Sequence, residues 1–241
     1  FNRITCIARE APVKTIKMLK YMLPVLALFI LSSCVTPPPT ETHDGLVLVP
    51  NTRFAQVFMR PGADLSSFTA FGLTPCEVAF RKNWQRDQNQ STINLSSRVT
   101  QEDVTRIKDR LGAECDSTFR AALEQAPPYT LVEQFSNGEH VLVLRPAIIN
   151  LDIAAPDVMA AGRQRSYTTE AGQMTLVLEG VDGTTGEVLV RVVDRRRAMD
   201  TGRLQWTNSV TNQAEARRML NRWASQFREG LDEVTRKGAQ P

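Results

Sequence analysis

Histidine is almost missing from this chain, which has only His43 and His140. Metal sites need clustered histidines, cysteines or carboxylates at ligand spacing, and two distant histidines exclude the common zinc patterns. A serine triad would have to use His140, yet no Gly-x-Ser-x-Gly elbow exists to present the serine. His140 reads instead as a residue at the start of a strand. Gly-x-x-x-x-Gly-Lys-Ser/Thr and Gly-x-Gly-x-x-Gly are both lacking, so no phosphate-cradling loop is expected. Asp152 and Asp157 could serve a glycosidase, but carboxylates are too common to single them out. The expectation is no catalytic residue, no metal and no cofactor.

Long apolar runs are lacking too. The longest begins at Tyr21 and ends at Leu31, short of the ~20 residues that a transmembrane helix needs. It follows Lys14, Lys17 and Lys20 and is closed by Leu31-Ser32-Ser33-Cys34. A basic start, an apolar stretch and small residues at the cut describe a secretory signal. An aliphatic residue, two small ones and then cysteine describe a lipobox, so Cys34 is the expected lipidation site. Residues 1–17 resemble no part of a signal peptide, whereas Met18 opens a compact one. They are read as a mis-assigned N-terminal extension, 18–33 as the lipoprotein signal peptide and 34–45 as the lipidated cysteine with a tether. Pro37, Pro38 and Pro39 favour an extended tether. Residues 46–241 form the expected periplasmic domain. Val35 follows the cysteine where an inner-membrane-retained lipoprotein would carry Asp. The outer membrane, facing the periplasm, is therefore the preferred location and the inner membrane the alternative.

An excess of one charge is also lacking. Residues 1–33 hold five of the 29 basic residues and one of the 26 acids, so removing them turns the formal +3 into about −1. A nucleic-acid binder would show a basic footprint, and none is expected here. Of the four cysteines, Cys6 and Cys34 precede the domain. Cys76 and Cys115 remain, either as a disulfide in an oxidising compartment or as two buried thiols acting as small hydrophobes.

What is present is a pattern of strands and helices. Short strands are expected at Gln56–Met59 and Phe68–Leu73, with Val78 and Phe80 continuing the second beyond Pro75. Thr100 with Asp103 makes a helix start. Val104, Ile107, Leu111, Cys115, Phe119 and Leu123 follow as one apolar stripe, ended by Pro127-Pro128. Tyr129–Glu133 and His140–Ile153 read as strands. Pro146 argues for an edge position or a bulge in the second. Gln173–Glu179 and Glu187–Asp194 flank Val181-Asp-Gly-Thr-Thr-Gly186, a hairpin signal. A last helix is expected from Asn212, with Leu220, Trp223, Phe227, Leu231 and Val234 as its stripe. The fold class is α+β: a single domain, mostly antiparallel sheet, with two long amphipathic helices packed on it.

Two features are candidate partner contacts. Trp84 stands in a polar stretch, Arg81–Arg98, that reads as a long loop. It is either an exposed anchor or a side chain folded back over the core. Arg163, Arg165, Arg195, Arg196 and Arg197 border the hairpin and could converge on an anionic partner. The plainer reading is a solvated edge guarded by charge.

Arg60-Pro-Gly-Ala-Asp64, Phe80-Arg-Lys-Asn-Trp-Gln85, Leu144-Arg-Pro-Ala147, Ala155-Pro-Asp157, Ala161-Gly-Arg163, Met174-Thr-Leu-Val-Leu178, Val193-Asp-Arg195 and Asn208-Ser-Val-Thr-Asn212 carry a family resemblance. On them the chain resembles the bacterial lipoproteins grouped as domain of unknown function 3313. The resemblance covers most of the mature domain and implies no activity, cofactor or site residue. The expected function is a membrane-anchored envelope lipoprotein, a non-catalytic binding module held at the lipid bilayer by acylated Cys34. Its partner would be a periplasmic protein or an anionic envelope component. An envelope hydrolase with an unrecognised site is the alternative. A secretion or pore-complex subunit ranks last, because the hairpin arms read as shorter than the ~9–11 residues of a spanning strand.

Overall fold

Met174, Leu176 and Leu178 point to one side of a strand and are buried. Their alternation with Thr175 and Val177 is the two-residue period of a sheet with one face on the core. The computed structural model describes residues 40–90, 95, 98–135, 139–153, 166–168, 172–198, 205–207 and 209–238, all within the unit Pro39–Pro241. The strands are β1 (Val47–Leu48), β2 (Gln56–Met59), β3 (Ala70–Leu73), β4 (Glu77–Phe80), β5 (Thr130–Val132), β6 (Leu142–Ile153), β7 (Ser166–Thr168), β8 (Gly172–Asp182), β9 (Val188–Arg197) and β10 (Gln205–Thr207). The helices are α1 (Trp84–Gln90), α2 (Gln101–Glu124) and α3 (Ser209–Gly238).

Eight strands form a mixed sheet in the order β1-β2-β9-β8-β6-β3-β5, with β4 also paired to β6. Neighbours from β1 through β6 are antiparallel, whereas β3 and β4 run parallel to β6 and β5 runs parallel to β3. β7 and β10 pair antiparallel as a separate ribbon. The α+β class and its two long helices are thus present, α2 and α3 contributing to one core with the sheet. The Thr100–Asp103 capping box forms reciprocally. Leu111, Cys115, Phe119 and Leu123 of α2, and Leu220, Trp223, Phe227 and Leu231 of α3, are buried against Leu144, Ile148, Leu176 and Val192.

Four expectations are corrected. Arg81–Arg98 is not all loop: Trp84–Gln90 forms α1. The last helix begins at Ser209, three residues before Asn212. The hairpin arms are 11 and 10 residues long, so shortness no longer argues against a pore subunit. Finally, β6 is an interior strand, between β8 on one side and β3 and β4 on the other. Its Pro146 is accommodated by the break between those two neighbours. The Leu144 carbonyl accepts from Thr74 N–H at 3.0 Å, so Leu144, and Pro146 two residues on, aim their backbone groups at the β3–β4 side. β3 ends its pairing at Leu144 and β4 begins at Ala147. The missing N–H of Pro146 falls where no ladder bond is required. A register irregularity does occur in β6, between Ile149 and Asp152.

Candidate functional site

The expected lipidation site, Cys34, and the arginines Arg163 and Arg165 lie outside the described residues, as does Asp157. Trp84 is only 1% exposed. Its ring stacks on Phe80 with centroids 4.0 Å apart, and its Nε1–H donates to the Ile153 carbonyl at 3.1 Å. The buried indole needs an acceptor, and α1 exists to carry it there. Trp84 therefore closes the core and is unavailable as an exposed contact. His140 stacks on Phe68 at 4.5 Å, and its Nε2 lies 3.2 Å from the Ser67 carbonyl.

The arginines of β9 divide by face. Arg196 shares the helix side with Asp194. Its Nε donates to Asp194 at 2.9 Å, and its guanidinium lies 5.7 Å from the Trp223 ring. Arg191, on the opposite face, is clamped by Glu179 and Asp44, both at 2.7 Å. Arg195 and Arg197 are on that same opposite face and are exposed. Each donates to Oε1 of Gln173, at 2.6 and 3.1 Å, from β8 next door. Among the described residues no carboxylate forms an ion pair with either.

A cleft of ≈ 610 Å³ opens between β4 and α2. It is lined by Glu77, Val78, Lys108, Asp109, Gly112 and Asp116, with Cys76 at its edge. A disulfide joins Cys76 to Cys115, with Cα atoms 6.1 Å apart, and ties the start of β4 to the middle of α2. Gly112 permits that approach: a Cβ there would lie 3.1 Å from the Cys76 carbonyl. Asp116 accepts the Cys76 N–H at 2.6 Å. Burial pushes its carboxyl up from the usual range, against the pull of that hydrogen bond and of Arg120. Sequence reasoning missed this cleft. Gly112, beside the apolar stripe of α2, was the signal available, since a glycine in a helix marks close backbone approach.

Among the described residues no cluster of three His, Cys, Asp or Glu is placed to hold a metal, and no helix is long and apolar enough to cross a membrane.

The chain belongs to the family described as protein of unknown function (DUF3313), whose model matches residues 47–227. No curated protein matches it. Among solved structures it is similar to the protein XCC0632 from Xanthomonas campestris, of family model DUF330. That match has 13% identity and a TM-score of 0.37, covering 80% of this chain and 97% of the other. It is also similar to the PelC dodecamer from Paraburkholderia phytofirmans. There the identity is 12% and the TM-score 0.32, covering 70% of this chain and 96% of the other. Likenesses at this level carry no weight for function.

Proposed function

We propose that the chain is a bacterial envelope lipoprotein, moored through acylated Cys34, whose DUF3313 domain is a non-catalytic binding module facing the periplasm from the outer membrane. The observation that carries this reading is Leu31-Ser32-Ser33-Cys34 at the end of the apolar stretch. Several acyl chains on one cysteine hold durably where a single chain would not. Mooring raises the local concentration of the domain for partners at one membrane.

The domain supports the binding reading. Its core is filled by large side chains from both long helices and the sheet. In the cleft, Asp116 is already committed to a backbone N–H. The outer face of the sheet carries two exposed arginines, Arg195 and Arg197, that have no carboxylate partner among the described residues. The expected result in the source bacterium, or a close surrogate, is incorporation of labelled palmitate and flotation with membranes for the native chain. Cys34→Ala should abolish both. Palmitate labelling that persists in Cys34→Ala would refute the anchor.

A further inference from the structure

The β9 strand carries four arginines, and the structure treats them in two ways. Arg191 has two carboxylates and Arg196 has Asp194. Among the described residues, Arg195 and Arg197 have only the amide oxygen of Gln173 between them. One neutral oxygen thus holds two like charges side by side, on an exposed face, and does not neutralise them. Arg195 spends Nη2 and Arg197 spends Nε on that oxygen, leaving the other N–H groups of each fork for a second acceptor. A tetrahedral oxyanion offers several oxygens and the missing negative charge, and guanidinium forks match phosphate oxygens.

The place of the pair in the fold selects the source of that phosphate. Thr40 is fixed at the sheet edge, its carbonyl accepting from Leu48 N–H at 2.9 Å. Leu48 pairs with Phe58, and Phe58 with Arg191. Arg195 lies four residues along β9 from Arg191, about 13 Å at the rise of a strand. Thr40 is six positions beyond Cys34, a stretch that spans at most about 22 Å when fully extended. Three strand spacings of about 5 Å separate Thr40 from β9 across the sheet, so a tether of this length lets a bilayer that holds Cys34 reach this face.

We propose that Arg195 and Arg197, held together by Gln173, dock the phosphate of an anionic lipid headgroup in the membrane to which the chain is anchored. This rests on the lipoprotein reading and adds a second, electrostatic contact to the acyl one. The contact would fix which face of the domain lies against the membrane and leave the helix-covered side, with the cleft between β4 and α2, free for a partner.

The test uses the acylated chain in vesicles and arginine-specific labelling by phenylglyoxal, read residue by residue by mass spectrometry. Flotation first reports whether the acyl anchor holds, so its failure is seen separately from failure of docking. In floated vesicles of phosphatidylglycerol with phosphatidylethanolamine, labelling of Arg195 and Arg197 should fall about tenfold relative to phosphatidylcholine vesicles, as expected for basic groups drawn to an anionic surface. Arg222, exposed on α3, should label equally in both. The protection should fade as salt is raised. Equal labelling of the pair in the two vesicle types overturns the proposal. So does protection by inorganic phosphate in detergent equal to that by the anionic vesicles, which would make the pair a free-anion site. Protection that appears only when an acidic periplasmic protein is added would reassign the pair to a protein partner.

Discussion

Asp194 is buried beneath α3 and accepts three hydrogen bonds. Ala55 N–H reaches Oδ1 at 2.9 Å, while Arg196 Nε and Trp223 Nε1 reach Oδ2 at 2.9 and 2.6 Å. One carboxylate thus satisfies a backbone donor, a buried indole and a half-buried guanidinium. Removing it leaves all three without their acceptor, and breaking a buried pair costs about 3–5 kcal/mol. Asp194→Ala is expected to lower stability by about that amount in urea unfolding; a loss below ~1 kcal/mol would deny the carboxylate this role. Arg228 plays the matching part at the end of α2. It is 5% exposed. It donates to the carbonyls of Ala122, Gln125 and Pro127 at 2.7–2.9 Å, satisfying acceptors that a helix end leaves without internal partners. Its Nε pairs with Asp232 at 2.8 Å. Neither residue stands out in the sequence. Asp194 reads as one more polar position on a strand, and Arg228 as one more cation on a helix.

Among the elements, the N-terminal segment of the domain is held to the sheet by a charge pair. Residues 40–48 lie along the β1 edge of the sheet. Leu46 is fully buried, and Asp44 is locked to Arg191 at 2.7 Å. The Arg191 guanidinium, with a hydrogen bond from Thr42 in addition, holds the Asp44 carboxyl well below the usual carboxylate range. A carboxyl depressed in the folded state stabilises fully above its unfolded value, near 4, and loses that contribution as pH falls toward the folded value. Amides of this segment, such as Leu46 and Leu48, should therefore lose hydrogen-exchange protection below about pH 4, after correction for intrinsic rates. In Asp44→Asn the protection should already be reduced at neutral pH and change little on acidification. A native-like pH profile in Asp44→Asn would show that the ion pair does not hold the segment. The elements that sequence did foresee were those with a strong local period. The stripes of α2 and α3 and the alternation in β8 fall where spacing put them. α1 was missed because seven residues of Trp, Gln, Arg, Asp and Asn carry no apolar stripe. It is specified by contacts beyond the helix: Trp84 stacks on Phe80 and donates to the Ile153 carbonyl, and Gln85 and Asn89 donate to the Val99 carbonyl.

At the scale of the molecule, the Cys76–Cys115 bridge closes a loop of 39 residues that holds β4, α1 and the first part of α2. Cross-linking a loop of that length removes unfolded-state entropy worth about 2–4 kcal/mol. Reduction, or the pair Cys76→Ala with Cys115→Ala, should lower the urea midpoint correspondingly without changing the far-ultraviolet circular dichroism of the folded protein. An unchanged midpoint on reduction would mean that the bridge does not constrain the unfolded chain. The bridge suits an oxidising compartment, in keeping with the proposed periplasmic setting.

The sequence by itself determined what depends on near neighbours: the Leu31-Ser32-Ser33-Cys34 pattern, the capping box at Thr100, the hairpin turn around Gly183 and the helical stripes. These follow from spacings of two to four residues, which the backbone imposes wherever the segment lies. Only the tertiary structure decided which charges are paired. Arg191 meets Asp44 across 147 residues, and Trp84 meets Ile153 across 69. Register between distant strands, and no local pattern, put Arg191 between two carboxylates and left Arg195 and Arg197 sharing a single amide oxygen.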